Sequence, residues 1–198
     1  MATFDSPCDD PRGLAFDGTN LWVSDGFSED LFWVMDTNGS VLDSVTSQTI
    51  CEPGGMAMAG TYMAVLDSCL ILSRMDTAGN IIDSFTAPTE IFYLWLAFDG
   101  TNYWGTSLFG KVFEFDNGSS IISSFFLNNY EAQGLATDGT DLWTFDFTQN
   151  EIVRFTKSGT VVESFTAPDD FLEDLAFDGT YLYGADTFSL KIYKMRVD

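Results

Sequence analysis

The chain has 198 residues, of which 45% are hydrophobic, so it is long and apolar enough to build a packed core. Its 8 Lys and Arg stand against 30 Asp and Glu, and the resulting net charge of −22 disfavours a nucleic acid as partner. Histidine is absent, which excludes Ser-His-Asp and Cys-His catalysis and every His-ligated metal site. No segment reaches the roughly 20 apolar residues of a membrane span, and the first residues lack a secretory pattern. We therefore expect a soluble chain without a membrane partner.

One sequence unit recurs five times along the chain. Its copies are LAFDGTN at 14–20 and 96–102, LAFDGT at 175–180, LATDGT at 135–140 and the diverged MAMAGT at 56–61. The fourth residue of each copy falls at Asp17, Ala59, Asp99, Asp138 and Asp178. The spacing of about 40 residues is typical of a four-stranded propeller blade.

The first unit contains four predicted strands, which we name A to D. GLAF (13–16) and LWVS (21–24) flank an Asp-Gly-Thr turn, whereas LFWVM (31–35) and VLDSV (41–45) flank an Asn-Gly hairpin turn of predicted type I′. Helical periodicity of comparable length is absent, so the predicted fold class is all-β. The predicted blade units lie near 8–45, 51–86, 91–126, 131–166 and 171–198.

The two ends of the chain predict how the ring of blades closes. The fifth unit stops at KIYKMRVD, its strand C, while ATFDSP at 2–7 aligns with ESFTAP at 163–168, the strand D of the fourth unit. We therefore predict that residues 2–7 complete the last blade of a five-bladed β-propeller, a single domain over 1–198 that is a monomer. Counting outward from the hairpin turns also places Arg74 opposite Asp83 and Arg154 opposite Glu163.

In a propeller, the D-to-A and B-to-C loops share one face, here called the mouth face, and the A/B and C/D turns share the turn face. The loops of the mouth face are acidic and aromatic, which suits a small cationic ligand, a sugar or a protein partner. Our candidate ligand-binding residues are Arg12, Asp25, Asp67, Tyr93, Trp95, Glu131, Gln133, Asp146, Glu173 and Asp186. We predict no cofactor, with Ca²⁺ as the alternative.

Four of these candidates, Asp25, Asp67, Asp146 and Asp186, end the strand B of their units. Two roles are open for them. They can bind Ca²⁺ or an ammonium group, or they can accept hydrogen bonds from their own turns, and the second role is the commoner one for aspartate at such a position.

Three cysteines, Cys8, Cys51 and Cys69, fall in loops of the mouth face. Cys51 and Cys69 flank the inner strands of one unit and are the best-placed disulfide pair, although the odd count leaves the pairing open. Such a bridge favours an extracellular or periplasmic location. The low Lys and Arg content equally fits the cytoplasm of a salt-adapted organism.

The sequence GLAFDGTNLWVSD, the D-x-x-G turns and SFTAP at 84–88 and 164–168 resemble the repeats of NHL and lactonase-type propellers over the whole chain. Those families include binding modules, lactonases and lyases, so the resemblance implies architecture rather than activity.

More distantly, the five blades resemble plant-type glutaminyl cyclases, whose repeats carry T-Q-G-L and then a catalytic Glu near the end of strand B. The nearest match is Ala132-Gln133-Gly134-Leu135, and Thr144 stands about where that Glu is expected. We predict a non-enzymatic binding propeller that uses its mouth face. The alternative is a propeller enzyme, either lactonase-like with a divalent cation or glutaminyl-cyclase-like, and we assign no catalytic residue.

Overall fold

The computed structural model describes residues 1–26, 31–47, 50–88, 95–107, 110–128 and 130–197. Within these ranges the chain forms 20 strands, arranged as five antiparallel sheets of four strands each. The chain is a five-bladed β-propeller, as the repeats predict. Over the same residues there is no helix with the length and apolar character that crossing a membrane requires.

The strands follow the repeats in chain order. Strand β1 is Ala2–Asp5, and blade 1 contains β2 (Pro11–Phe16), β3 (Leu21–Asp25), β4 (Leu31–Met35) and β5 (Val41–Thr46). Blade 2 contains β6 (Pro53–Ala59), β7 (Tyr62–Asp67), β8 (Ile71–Met75) and β9 (Ile81–Thr86). Blade 3 contains β10 (Trp95–Phe98), β11 (Tyr103–Thr106), β12 (Lys111–Phe115) and β13 (Ile121–Phe126). Blade 4 contains β14 (Ala132–Thr137), β15 (Asp141–Asp146), β16 (Glu151–Thr156) and β17 (Val161–Thr166). Blade 5 contains β18 (Leu172–Phe177), β19 (Tyr181–Asp186) and β20 (Lys191–Arg196), completed by β1.

The ring is closed by the N-terminal strand, as predicted. Strand β1 pairs antiparallel with β20, with Thr3 opposite Tyr193 and Phe4 opposite Ile192. The inner strands contact one another in the circular order β2, β6, β10, β14, β18 and back to β2. Each inner strand carries a buried alanine at the same repeat position, at most 6% exposed: Ala15, Ala57, Ala97, Ala136 and Ala176. These small side chains allow five inner strands to crowd around one axis.

The C/D turns correct one prediction. Gly39 donates its N–H to the carbonyl of Asp36 at 3.1 Å and has a φ of 91°, while Asn38 stays outside the left-handed region. The connection is therefore a type I turn followed by a left-handed glycine with a bulge, and the predicted type I′ turn is wrong. The register beyond the bulge is the predicted one.

Two cross-strand pairs confirm that register. Arg74 lies opposite Asp83 and Arg154 opposite Glu163. Both arginines form ion pairs with these partners, and the distance from Arg154 Nη1 to Glu163 Oε1 is 3.3 Å.

On the turn face, the repeated Asp-Gly-Thr segments are held by the aspartate side chain. Asp99 Oδ1 accepts the N–H groups of Thr101 and Asn102, each at 2.9 Å. Its Oδ2 accepts Trp104 Nε1 at 2.9 Å and Lys157 Nζ at 2.7 Å, so it also ties blade 3 to blade 4. Burial opposes ionisation of this carboxyl, but these hydrogen bonds outweigh it and lower the pKa of Asp99 to about 2.

Candidate functional site

A pocket of about 600 Å³ opens on the mouth face where the inner strands begin. It brings together four of the predicted residues, which are Arg12, Asp67, Trp95 and Glu173. Its wall also contains Glu52, Gly54, Gly55, Leu66, Ser68, Cys69 and Leu70. We call this space the mouth pocket. Its size lies within the range of small-molecule sites.

Arg12 is held in place at the wall of the mouth pocket. Its Nε donates to Asp10 Oδ2 at 2.9 Å, and Asp10 is itself buried. The pair lies against the backbone of Gly26, where an added Cβ would stand 2.4 Å from Arg12 Nε and 2.4 Å from Asp10 Oδ2. The absence of a side chain at Gly26 therefore gives this ion pair its space, and the guanidinium is positioned before any ligand arrives.

Glu173 occupies in blade 5 the strand-A position that Arg12 occupies in blade 1 and Gln133 in blade 4. Burial raises the pKa of the Glu173 carboxyl. The nearby Arg12 cation opposes this effect, whereas the charges of Asp10 and Asp186 raise the pKa further. A carboxyl that ionises less readily than usual, at the wall of a cleft, is suited to proton transfer.

Three of the aspartates that end strand B accept backbone N–H groups from the loops of their own blades. Asp67 Oδ1 accepts the N–H groups of Cys69 at 3.0 Å and Ile71 at 2.8 Å. Asp186 Oδ1 accepts those of Phe188 at 2.8 Å and Ser189 at 2.7 Å. Asp146 Oδ1 accepts the N–H groups of Glu131 at 3.0 Å and Thr148 at 3.1 Å, as the turn role predicts.

Several predicted site residues are not brought into the mouth pocket. Its wall does not include Asp25, Glu131, Gln133, Asp146 or Asp186. Tyr93 lies outside the described residues. Among the residues that are described, no three Cys, Asp or Glu side chains converge in the way that a metal ion requires.

The predicted Cys51–Cys69 disulfide is not formed, and both side chains are exposed thiols. Cys69 lies in the tight turn in which Leu70 donates its N–H to the carbonyl of Asp67 at 3.0 Å. The Asp67 carboxylate accepts both the Cys69 N–H at 3.0 Å and the Cys51 N–H at 3.4 Å, and the Ser68 N–H donates to the Cys51 carbonyl at 3.1 Å. Cys8 is buried, which raises the pKa of its thiol to about 11.

Three exposed phenylalanines lie together elsewhere on the mouth face. The ring centroids of Phe147 and Phe171 are 6.1 Å apart, and those of Phe171 and Phe188 are 5.0 Å apart. Phe188 is 78% exposed. Single exposed apolar residues are common, but a contacting group of three aromatic rings marks a surface suited to binding.

Asp174 is a central residue that the sequence analysis did not select. It is completely buried, and its carboxylate accepts backbone N–H groups from blades 1, 2, 4 and 5. The available signal was its place in the repeat, because Gly13, Gly55 and Gly134 occupy the equivalent position in three other units.

The position that the glutaminyl cyclase resemblance assigns to a catalytic Glu holds no carboxyl group. Thr144 is buried there, and its hydroxyl donates to the carbonyl of Gly134 at 2.8 Å. This side chain bonds the two inner strands of its own blade. If the mouth pocket supports acid-base chemistry, Glu173 is the half-buried carboxyl in its wall with a raised pKa.

Comparison with known proteins gives structural relatives only. No protein-family profile matches the chain, and no curated protein sequence matches it significantly. A glutaminyl cyclase of Myxococcus xanthus is similar over 100% of this chain and 96% of its own, with a TM-score of 0.76 at 12% identity. A chain of a nidogen–laminin complex is similar over 94% of this chain and 75% of its own, with a TM-score of 0.67 at 17% identity. Virginiamycin B lyase of Staphylococcus aureus is similar over 95% and 66%, with a TM-score of 0.58 at 16% identity.

At identities this low, the likeness shows the propeller fold and leaves the activity to be argued from the site. By their names, these relatives include two enzymes and a chain of a protein–protein complex, so the fold alone does not distinguish catalysis from binding.

Proposed function

We propose that the mouth pocket binds a small molecule that carries a protonated amino group close to a carbonyl or carboxylate oxygen. The observation that carries this proposal is the charge of the wall: among the described residues it contains three carboxyl side chains, Glu52, Asp67 and Glu173, and one cation, Arg12. Such a wall favours a cationic group, and the positioned guanidinium adds a donor for one oxygen atom.

The apolar part of the wall fits the same ligand class. Trp95, Leu66 and Leu70 line the pocket beside the carboxylates. An aromatic ring beside carboxylates stabilises an ammonium group through its π-face as well as through charge. A purely anionic ligand would meet three carboxylates and one guanidinium, which makes its binding unfavourable.

A second candidate is an enzyme that cyclises an amino-terminal glutamine. Two observations favour it, namely the full-length structural similarity to a glutaminyl cyclase and the raised pKa of Glu173 at the pocket wall. In this reaction the α-amino nitrogen attacks the γ-carboxamide carbon, a C–N bond forms, and the carboxamide nitrogen leaves as ammonia. Glu173 would take the proton from the attacking amine and return it to the leaving nitrogen.

Calorimetry with the dipeptide Gln-Ala and with its N-acetylated form tests the binding proposal. We expect Gln-Ala to bind and the acetylated peptide not to bind, because acetylation removes the ammonium charge. Replacing Glu173→Gln should weaken binding about tenfold, which corresponds to about 1.4 kcal/mol. Glu163→Gln is the matched control, since Glu163 lies on the outer strand β17, and it should leave the affinity unchanged. Equal binding of both peptides would contradict the proposal.

Ammonia release from the same dipeptide separates the two candidates. Release that disappears in Glu173→Gln but persists in Glu163→Gln would establish the enzyme. Binding without release would leave a ligand-binding propeller.

A further inference from the structure

We propose that the axis of the propeller carries a carboxylate-binding site made of backbone N–H groups, and that Asp174 is its resident ligand. Without that side chain, the site takes a small free carboxylate such as formate or acetate. This inference does not depend on the function proposed for the mouth pocket.

The contacts of Asp174 define the site. Its Oδ2 accepts the N–H of Leu14 at 2.9 Å and that of Met56 at 3.4 Å. Its Oδ1 accepts the N–H of Leu175 at 2.9 Å and that of Leu135 at 3.2 Å. All four donors occupy the same position of strand A, in blades 1, 2, 4 and 5. One carboxylate therefore links four blades of the ring.

The site follows from the geometry of the inner strands. Each strand A pairs with strand B on one side only, so its other edge directs N–H groups towards the axis. A buried N–H without an acceptor is strongly destabilising. Several N–H groups that converge on one point also form a concavity that favours an anion. A carboxylate at this point satisfies both requirements.

The other repeats leave room for a single side chain at this level. The equivalent positions are Gly13, Gly55, Trp95 and Gly134. A Cβ on Gly13 would lie 2.0 Å from the carbonyl oxygen of Gly54, and one on Gly134 would lie 3.0 Å from the Cα of Asp174. Trp95 packs in the core shared with blade 4 and also lines the mouth pocket. The space that these residues leave at the axis is occupied by the Asp174 carboxylate.

Along strand β18, Asp174 lies between Glu173, which lines the mouth pocket, and Leu175, which lines a second cavity. The wall of the mouth pocket includes Gly55 and Trp95, which occupy the Asp174 position in their own repeats, and Glu173, the residue before Asp174. The second cavity has a volume of about 90 Å³, and its lining includes the residue that follows the Asp174 position in each blade: Leu14, Met56, Leu96, Leu135 and Leu175. Complete burial raises the pKa of Asp174 well above its ordinary value, and the four N–H donors act in the opposite direction.

Chemical rescue of Asp174→Ala tests this inference. The variant should melt at a lower temperature than the wild type, because four buried N–H groups lose their acceptor. Sodium formate and sodium acetate should restore the melting temperature in a saturable way, following RT ln(1 + [L]/Kd). Sodium chloride at the same ionic strength should give only a gradual rise, and the wild type should show no saturable response to formate. An identical response to formate and chloride in the variant would overturn the proposal.

Two further variants keep the test decisive. Asp43→Ala removes an exposed aspartate of β5 and should show no saturable response to formate. Asp174→Asn fills the same space with a neutral group and should not respond to formate either. If Asp174→Ala does not fold, we expect formate to increase its refolding yield from urea where chloride does not. A refolding yield that formate leaves unchanged would overturn the proposal.

Discussion

The two faces of the propeller place the same carboxyl chemistry in opposite environments. On the turn face, Asp36 and Asp76 have lowered pKa values, because neighbouring Ser40 and Asn80 donate hydrogen bonds to their carboxylates. On the mouth face and at the axis beneath it, Glu173, Asp174 and Asp186 have raised pKa values, chiefly because they are buried. An exposed turn thus stabilises the charge of its aspartate, whereas enclosure by loops and inner strands penalises it. The turn face contributes stability, and the mouth face holds carboxyls suited to binding and proton transfer.

The largest expected effect is on the pH dependence of stability. A carboxyl whose pKa is lowered by folding contributes stability above its unfolded pKa, and this is lost as the pH falls through its folded pKa. For the turn-face aspartates, with Asp99 at about 2, this predicts a loss of stability between about pH 4 and pH 2.

The mouth face gives the opposite sign. A carboxyl whose pKa is raised by folding contributes stability below its unfolded pKa, and this is lost as the pH rises through the folded pKa. The free energy of unfolding, measured by urea titration, should therefore be greatest near about pH 4–5 and decline towards pH 7. Glu173→Gln should reduce the decline, while Asp174 and Asp186 retain the rest of it, and it should leave the acid limb unchanged. Stability that rises steadily up to pH 7 in the wild type would contradict the assignment of the two faces.

The next effect is the loss of one turn-face carboxylate. Asp99 accepts two backbone N–H groups and also the side-chain donors of Trp104 and Lys157. We expect Asp99→Asn to lower the free energy of unfolding by about 2 kcal/mol. The exposed Asp43 provides the control, and Asp43→Asn should have little effect. Equal losses in the two variants would show that the hydrogen bonds of Asp99 are not its source of stability.

Neutralising a mouth-face aspartate, Asp186, should change the free energy of unfolding less than Asp99→Asn does. Asp186 Oδ1 accepts two N–H groups, while its buried Oδ2 has no hydrogen-bond partner among the described residues. An asparagine can keep both accepted bonds and removes a buried charge, so Asp186→Asn should change the free energy of unfolding by less than about 1 kcal/mol. A loss as large as that of Asp99→Asn would mean that Oδ2 carries an essential contact, and would erase the difference between the faces.

The smallest effect concerns ionic strength. Because the net charge is −22, repulsion should be screened as NaCl increases from about 0.1 M to about 1 M, and the melting temperature should rise gradually. Wild type and Asp186→Asn should rise with nearly the same slope. A response to CaCl₂ that saturates, and that Asp186→Asn abolishes, would instead reveal a specific cation site at the mouth.

Local and repeated features were open to prediction from the sequence. The five copies of the repeat, four with Asp-Gly-Thr and one with Ala-Gly-Thr, give the blade number, and the alignment of residues 2–7 with 163–168 predicts the closing strand. The positions of Arg74 and Arg154 relative to their acidic partners follow from antiparallel counting. The turn type was wrong because two-residue and bulged three-residue hairpins share the same glycine, and the conformation of Asn38 decides between them.

What the sequence by itself determined is the part of the protein that repeats, since a repeated unit must bury its strands against the next copy and close into a ring. Only the tertiary structure decided what happens where the five copies meet. There the predicted Cys51–Cys69 bridge does not form. The tertiary structure also gathered Arg12, Trp95 and Glu173 around one pocket and placed Asp174 on the axis. These contacts join residues up to 160 positions apart, and their distances depend on the ring as a whole.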